Sequence, residues 1–170
     1  MVKFETVLMT LNEPIWYVGI LIPKKIAKPF LTENARVLCS VNSNEPFQGA
    51  LMPKGDGDYF INLNKERRKA FVLEIGDIIN VSLEKDESKY GLPVPKEFEE
   101  LLYQDPEGNE VFHTLSPGKQ RSLIYIIGKP KSEQKKIEKG IVVLDYLKKA
   151  QGKLDFKELN QAFKESNRKV

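Results

Sequence analysis

One pattern is used twice in the first half of the chain. Ile22-Pro23-Lys24-Lys25-Ile26-Ala27-Lys28, with a strand-like run from Val37, lines up with Leu63-Asn64-Lys65-Glu66-Arg67-Arg68-Lys69, with a strand-like run from Ile78; the offset is 41 residues at both places. Each unit reads as a strand, a sharp stop at Pro or Asn, one basic helical turn, a polar bend and a second strand. A single unit leaves strand edges unpaired. Two of them packed about a pseudo-twofold axis close a small barrel and hide those edges. The expectation is a small closed barrel of two pseudo-repeated strand-turn-strand units, both supplied by one chain, and hence a monomeric barrel.

The alternation of apolar residues fills in the strands. Phe4 to Leu11 reads as the first, and Asn12-Glu13-Pro14 turns the chain into Ile15 to Ile22, where Trp16, Val18, Ile20 and Ile22 share a face. Arg36 to Val41 places Val37, Cys39 and Val41 together; Pro46 to Met52 and Asp58 to Leu63 flank a tight turn at Lys54-Gly55-Asp56-Gly57, which requires positive φ. Asn64 is an N-cap for Lys65 to Ala70, and Ile78 to Glu84 turns Ile79, Val81 and Leu83 one way. Beyond residues 85–91 the period changes to that of helices. Pro93-Val94-Pro95 introduces Lys96 to Tyr103; Ser116-Pro117 opens Gly118 to Ile127, with Gly128 as a C-terminal stop; Ser132 caps Glu133 to Ala150, whose stripe is Ile137, Ile141, Leu144 and Leu147. Gly152 ends that helix, and Asp155 with Glu158 forms a capping box for a last one carrying Phe156, Leu159 and Phe163. The fold class is α+β: a β-barrel domain over 1–92 and a helical region over 93–170.

Composition narrows the chemistry. With 41% hydrophobic and 30% charged residues the chain is an ordinary globular one, and one cysteine and one histidine exclude an intramolecular disulfide and multi-thiolate or multi-histidine metal sites. No metal and no cofactor are expected, and Cys39 is read as core. No apolar run approaches the roughly 18 to 20 residues that span a bilayer, and MVKFETVLMT alternates polar with apolar, so the expected address is the cytoplasm. Residues 1–128 hold 15 Lys/Arg against 18 Asp/Glu, whereas 129–170 hold 12 against 6. A basic tail suits nucleic acid or an anionic surface, although interspersed acids also make solvated helices.

No catalytic constellation emerges. Pro117-Gly118-Lys119 lacks the upstream glycine of a phosphate loop; Gly55-Asp56-Gly57-Asp58 lacks the later ligands of a calcium loop; His113 has no partner at a diagnostic spacing. The cluster that stands out is cationic: Lys65, Arg67, Arg68 and Lys69 on one helical turn, with Lys24, Lys25 and Lys28 on the equivalent turn of the first unit. Such charges either pair with neighbours, here Glu66, Glu74 or Asp77, or await an anion. Arg67, Arg68, Lys65, Lys24 and Lys25 are the candidate ligand-binding residues; no catalytic residue is assigned.

Leu51-Met52-Pro53-Lys54-Gly55-Asp56-Gly57, Lys65 to Lys69, Gly76-Asp77 and Pro93-Val94-Pro95 together resemble the bacterial β-barrel domain of unknown function that precedes YdeI/OmpD-associated segments. Leu115-Ser116-Pro117-Gly118-Lys119-Gln120-Arg121, Ile124 to Ile127, Lys129 and Lys135-Lys136-Ile137 resemble the YdeI/OmpD-associated, or bacteriocin-protection, helical region. Gly128 and Ser132-Glu133 depart from that family's usual alanine and Thr-Arg, so its arginine is missing here. More distantly the barrel resembles the swapped-hairpin barrels of the AbrB/MazE class. The likeness implies a bacterial protein linked to envelope stress and bacteriocin resistance, and a shared barrel does not carry DNA binding with it. The two matched basic turns beside no catalytic constellation point to a non-enzymatic binding or stress-protection module for an unknown anionic ligand or protein partner, with nucleic-acid binding through the basic turns and tail as the alternative.

Overall fold

Seven strands turn one side of their alternating side chains into a common core. The computed structural model describes residues 1–11, 18–31 and 35–168; the expected turn at Asn12-Glu13-Pro14 and the start of the next strand, Trp16 included, lie outside them. The strands are β1 (Val2–Thr10), β2 (Val18–Ile22), β3 (Arg36–Val41), β4 (Phe47–Ala50), β5 (Met52–Pro53), β6 (Tyr59–Asn62) and β7 (Ile78–Lys85). Two helical turns interrupt them: α1 (Lys24–Ala27), which runs on into a 3-10 turn at Lys28–Phe30, and α2 (Lys65–Ala70).

The strands pair antiparallel in the order β4-β3-β7-β1-β2-β6-β5. β1 serves two neighbours, Val2 to Val7 pairing with β7 and Leu8 to Thr10 with β2. β4 pairs with β3 and β5 with β6, and only Leu51 stands between β4 and β5, so the two ends of the order meet and the barrel is nearly closed. The single strand expected over Pro46 to Met52 is therefore broken. Leu51 turns into the core and sends its N–H to the Ala35 carbonyl (2.9 Å), which redirects the chain from one neighbour to the other. Gly49 permits the closure: a Cβ there would meet the Ile61 Cγ2 at 2.9 Å.

The strand registers reveal the twofold relation. β2 and β6 pair symmetrically about Ile20 and Ile61, which are 41 positions apart, and β3 and β7 about Ser40 and Ser82, which are 42 apart. β1 bridges β7 to β2 as β4 and β5 together bridge β3 to β6. The duplication is thus three strands per unit, with one more residue in the second bend. This corrects the constant offset of 41 read from the sequence. That offset would set buried Val37 against Ile78, which is 71% exposed; an offset of 42 sets Val37, Cys39 and Val41 against Ile79, Val81 and Leu83, all buried. Because strand side chains alternate, a one-residue slip exchanges the faces of a whole strand.

The chain divides into two compact units, Met1–Gly91 and Leu92–Val170. The second is all helical: α3 (Lys96–Gln104), α4 (Pro106–His113), α5 (Pro117–Gly128), α6 (Glu133–Lys149) and α7 (Phe156–Asn167). α4 was not anticipated from periodicity. Asp105 starts it, its Oδ1 accepting the Gly108 N–H at 2.9 Å, with Pro106 at the first helical position. On α6 the buried stripe is Gly140, Val143, Leu144 and Leu147, whereas Ile141 remains 44% exposed. Gly140 lets α3 approach, since a Cβ there would fall 2.4 Å from the Leu101 Cδ1. Gly128 is not a left-handed stop but the last residue of α5, where a Cβ would come within 3.1 Å of Pro95. Among the described residues no helix is long and apolar enough to cross a membrane.

Candidate functional site

Asn64 begins α2 as expected, its Oδ1 accepting the Arg67 N–H at 2.8 Å. This places Arg67 and Arg68 half-buried at the barrel surface, with Lys65 and Lys69 exposed beside them. The Arg67 guanidinium lies over the Phe47 ring, 4.2 Å from its centroid, and the Phe47 and Phe71 rings are 6.2 Å apart. Such stacking holds a cation in one orientation and strips part of its water. Partial burial draws the Arg67 pKa below its usual value, against the opposing pull of Cys39 and Glu66, yet a guanidinium remains charged at neutral pH. Arg68 has its Nε buried without a hydrogen-bond partner.

Glu66, Glu74 and Asp77 do not neutralise this turn. Among the described residues, none of Lys65, Arg67, Arg68 and Lys69 enters a salt bridge. The Asp77 carboxylate is occupied by the Glu74 N–H at 2.8 Å, closing the bend before β7.

The second basic turn is elsewhere. β2 ends at Ile22 opposite Tyr59, the first residue of β6, whereas β6 ends at Asn62 opposite Gly19, near the start of β2. α1 and α2 therefore leave opposite ends of one antiparallel pair, and Lys24 and Lys25 do not join Arg67 and Arg68 in one cluster. Lys24 and Lys25 are exposed. Pro23 offers α1 no side-chain cap, and the cap comes from afar: Asp58 Oδ1 accepts the Lys24 N–H at 2.8 Å. The Gly55-Asp56-Gly57-Asp58 turn thus spends its carboxylates on structure. Asp56 pairs with Lys54, which holds its carboxyl below the usual range, and Gly55 and Gly57 take φ of 99° and 101°.

The remaining nucleophile and base candidates are each held in a structural setting. Cys39 is buried in the barrel core, where desolvation pushes its thiol up to about 12, far from a reactive thiolate. His113 Nδ1 lies 2.8 Å from the Asn109 carbonyl oxygen one turn back in α4. No group of three or more potential metal ligands occurs among the described residues. In the basic C-terminal segment, Lys136 pairs with Glu97 (3.2 Å), Lys148 with Asp105 (2.7 Å), and Lys139 lies over the Phe163 ring (5.4 Å), so part of that charge is spent inside the helical unit.

Two features were beyond sequence reasoning. Phe47, the platform under Arg67, stands twenty positions before it in the chain, and only barrel closure brings them together. A polar groove of about 270 Å³ crosses the outer face of β1, β7 and β3, where the cross-strand row Lys3–Ser82–Ser40 puts two small hydroxyls at its floor. Outward serines carry no signal until the register aligns them.

Fold and surface define the class: a duplicated, nearly closed barrel that presents a basic turn, followed by an all-helical unit. Residues 4–83 match the Domain of unknown function (DUF1905), and residues 92–144 match the family described as Bacteriocin-protection, YdeI or OmpD-Associated. The barrel thus carries the first of these matches, and the helical unit is similar to the YdeI/OmpD-associated family over the second. No curated protein matches it.

Proposed function

We propose that this chain is a non-enzymatic binding module of the bacterial cytoplasm that captures an anionic partner at α2. Arg67 and Arg68 provide the directional contacts, Lys65 adds to the field, and Lys24 and Lys25 form a separate, weaker basic point at the other end of the β2–β6 pair. The observation that carries this reading is the Arg67 guanidinium, fixed over Phe47 at 4.2 Å and without an ion pair among the described residues. A cation already oriented and partly dehydrated loses less on binding than a mobile surface lysine, and its planar fork matches carboxylate or phosphate oxygens.

Calorimetric titration with tripolyphosphate and with a poly-glutamate peptide tests the site. Replacing Arg67 and Arg68 by alanine should weaken binding at least about tenfold, equivalent to about 1.4 kcal/mol, while the thermal transition remains cooperative. Equal affinities for the variant and the parent chain would refute the assignment. A DNA duplex bound more tightly than either probe, with affinity falling steeply in salt and lost on neutralising the lysines of 129–170, would support the nucleic-acid reading instead.

A further inference from the structure

We propose that the α2 end of the barrel docks on the acidic α3–α4 face of a second copy of this chain. The proposal rests on the anion-binding reading of α2 and names the partner for it. The bend that follows α2 exposes Val72 (86%) and Ile75 (46%), and the start of β7 exposes Ile78 (71%), a set of protruding aliphatic side chains beside four cations that enter no salt bridge among the described residues. Val72 does this from φ 54°, a left-handed conformation that a β-branched residue adopts only when its surroundings impose it. Apolar projections ringed by charge are the anatomy of a protein contact.

The complement is present in the same sequence. α3 directs Glu99, Glu100 and Tyr103 outward, Tyr103 being 82% exposed, and α4 adds exposed Glu107 and Glu110. None of these four carboxylates enters a salt bridge among the described residues; Glu100 bonds only the Gln104 amide at 2.6 Å. Four cations with aliphatic neighbours thus have their chemical complement in four carboxylates with an exposed aromatic, none of the eight in a salt bridge among the described residues. The two surfaces differ, so the contact is head-to-tail. An anionic bilayer fits less well, because Glu66 and Glu74 stand exposed among the cations and would meet like charge.

Sedimentation velocity on the full chain at about 20 mM and about 500 mM salt reads the contact. The expected result is a mass that rises with protein concentration at low salt and returns to that of the monomer at high salt. Arg67→Glu with Arg68→Glu should abolish the rise, and so should Glu99→Lys with Glu100→Lys, which are remote in sequence from α2. Mixing the two charge-reversed proteins should restore association at least about tenfold over either alone, since each then offers the other's complement. A monomer at every concentration in low salt, or Glu99→Lys with Glu100→Lys associating like the parent, would overturn the proposal. So would a monomer that sediments with phosphatidylserine vesicles through Arg67 and Arg68. Glu99→Lys with Glu100→Lys should leave tripolyphosphate binding at Arg67 and Arg68 in place; a parent chain that associates but binds no tripolyphosphate would sink the anion-site reading alone.

Discussion

At the scale of single residues the barrel stores strain at Val72. Its φ of 54° and 86% exposure mean that the left-handed conformation is not offset by burial of the side chain. Asparagine tolerates that region, because its short polar side chain bonds the local backbone. Val72→Asn should therefore stabilise the barrel by roughly 1 kcal/mol, an increase of several degrees in the melting temperature of a domain this size. A calorimetric scan showing no increase would mean that the bend relaxes around valine at no cost. Residues whose role is local were legible beforehand: Asn64 as a cap and Cys39 as core follow from a short window of sequence. Arg67 was legible as a cation but not as a stacked one, because Phe47 reaches it only through the β3–β4 and β6–α2 connections.

At the scale of elements the legible signals were periodic, and α4 shows where they fail. PEGNEVFH has too few apolar residues for a helical stripe, yet Asp105-Pro106 has the same pattern as Ser116-Pro117, an oxygen-bearing residue followed by proline, although only Asp105 caps with its side chain and Ser116 makes no side-chain cap hydrogen bond. The cap also joins helices. Asp105 accepts from Lys148 of α6 at 2.7 Å as well as from Gly108, and both contacts, the ammonium first, hold its carboxyl below the ordinary value of about 3.9. A carboxyl whose folded pKa is depressed stabilises the fold fully above its unfolded value and loses that contribution as pH falls through the folded one. Asp105→Asn keeps an acceptor for the cap and removes only the charge. The expected cost near neutrality is about 0.5 to 1 kcal/mol, discounted for the exposure of the pair. Melting temperatures of parent and variant should converge as pH falls below the ordinary carboxylate range and through the depressed folded value of Asp105. A gap that persists undiminished in acid would assign the loss to packing rather than to charge.

At the scale of the whole molecule the duplicated barrel is the feature from which the rest follows. The repeat was legible because each copy carries its own stop and basic turn, but the extra residue in the second bend was not. Bends lack periodicity, and only the parity of the β3–β7 register, centred on Ser40 and Ser82, demands an even offset. A barrel built this way completes itself. Among the described residues its core cluster runs from Leu8 to Leu83, and Gly49 and Leu51 close the seam from inside the same unit. The helical unit in turn packs Phe98, Phe112, Leu123, Ile127, Leu144 and Leu147 from its own helices. Two cores of this kind should fold separately, so a fragment of residues 1–91 is expected to melt cooperatively with a β-type circular dichroism spectrum, and one of 92–170 with a helical spectrum. If 1–91 instead remains unfolded while the full chain melts in one step, the twofold closure is insufficient by itself. The barrel would then depend on the helical unit for its stability, and the basic turn could not be studied apart from it.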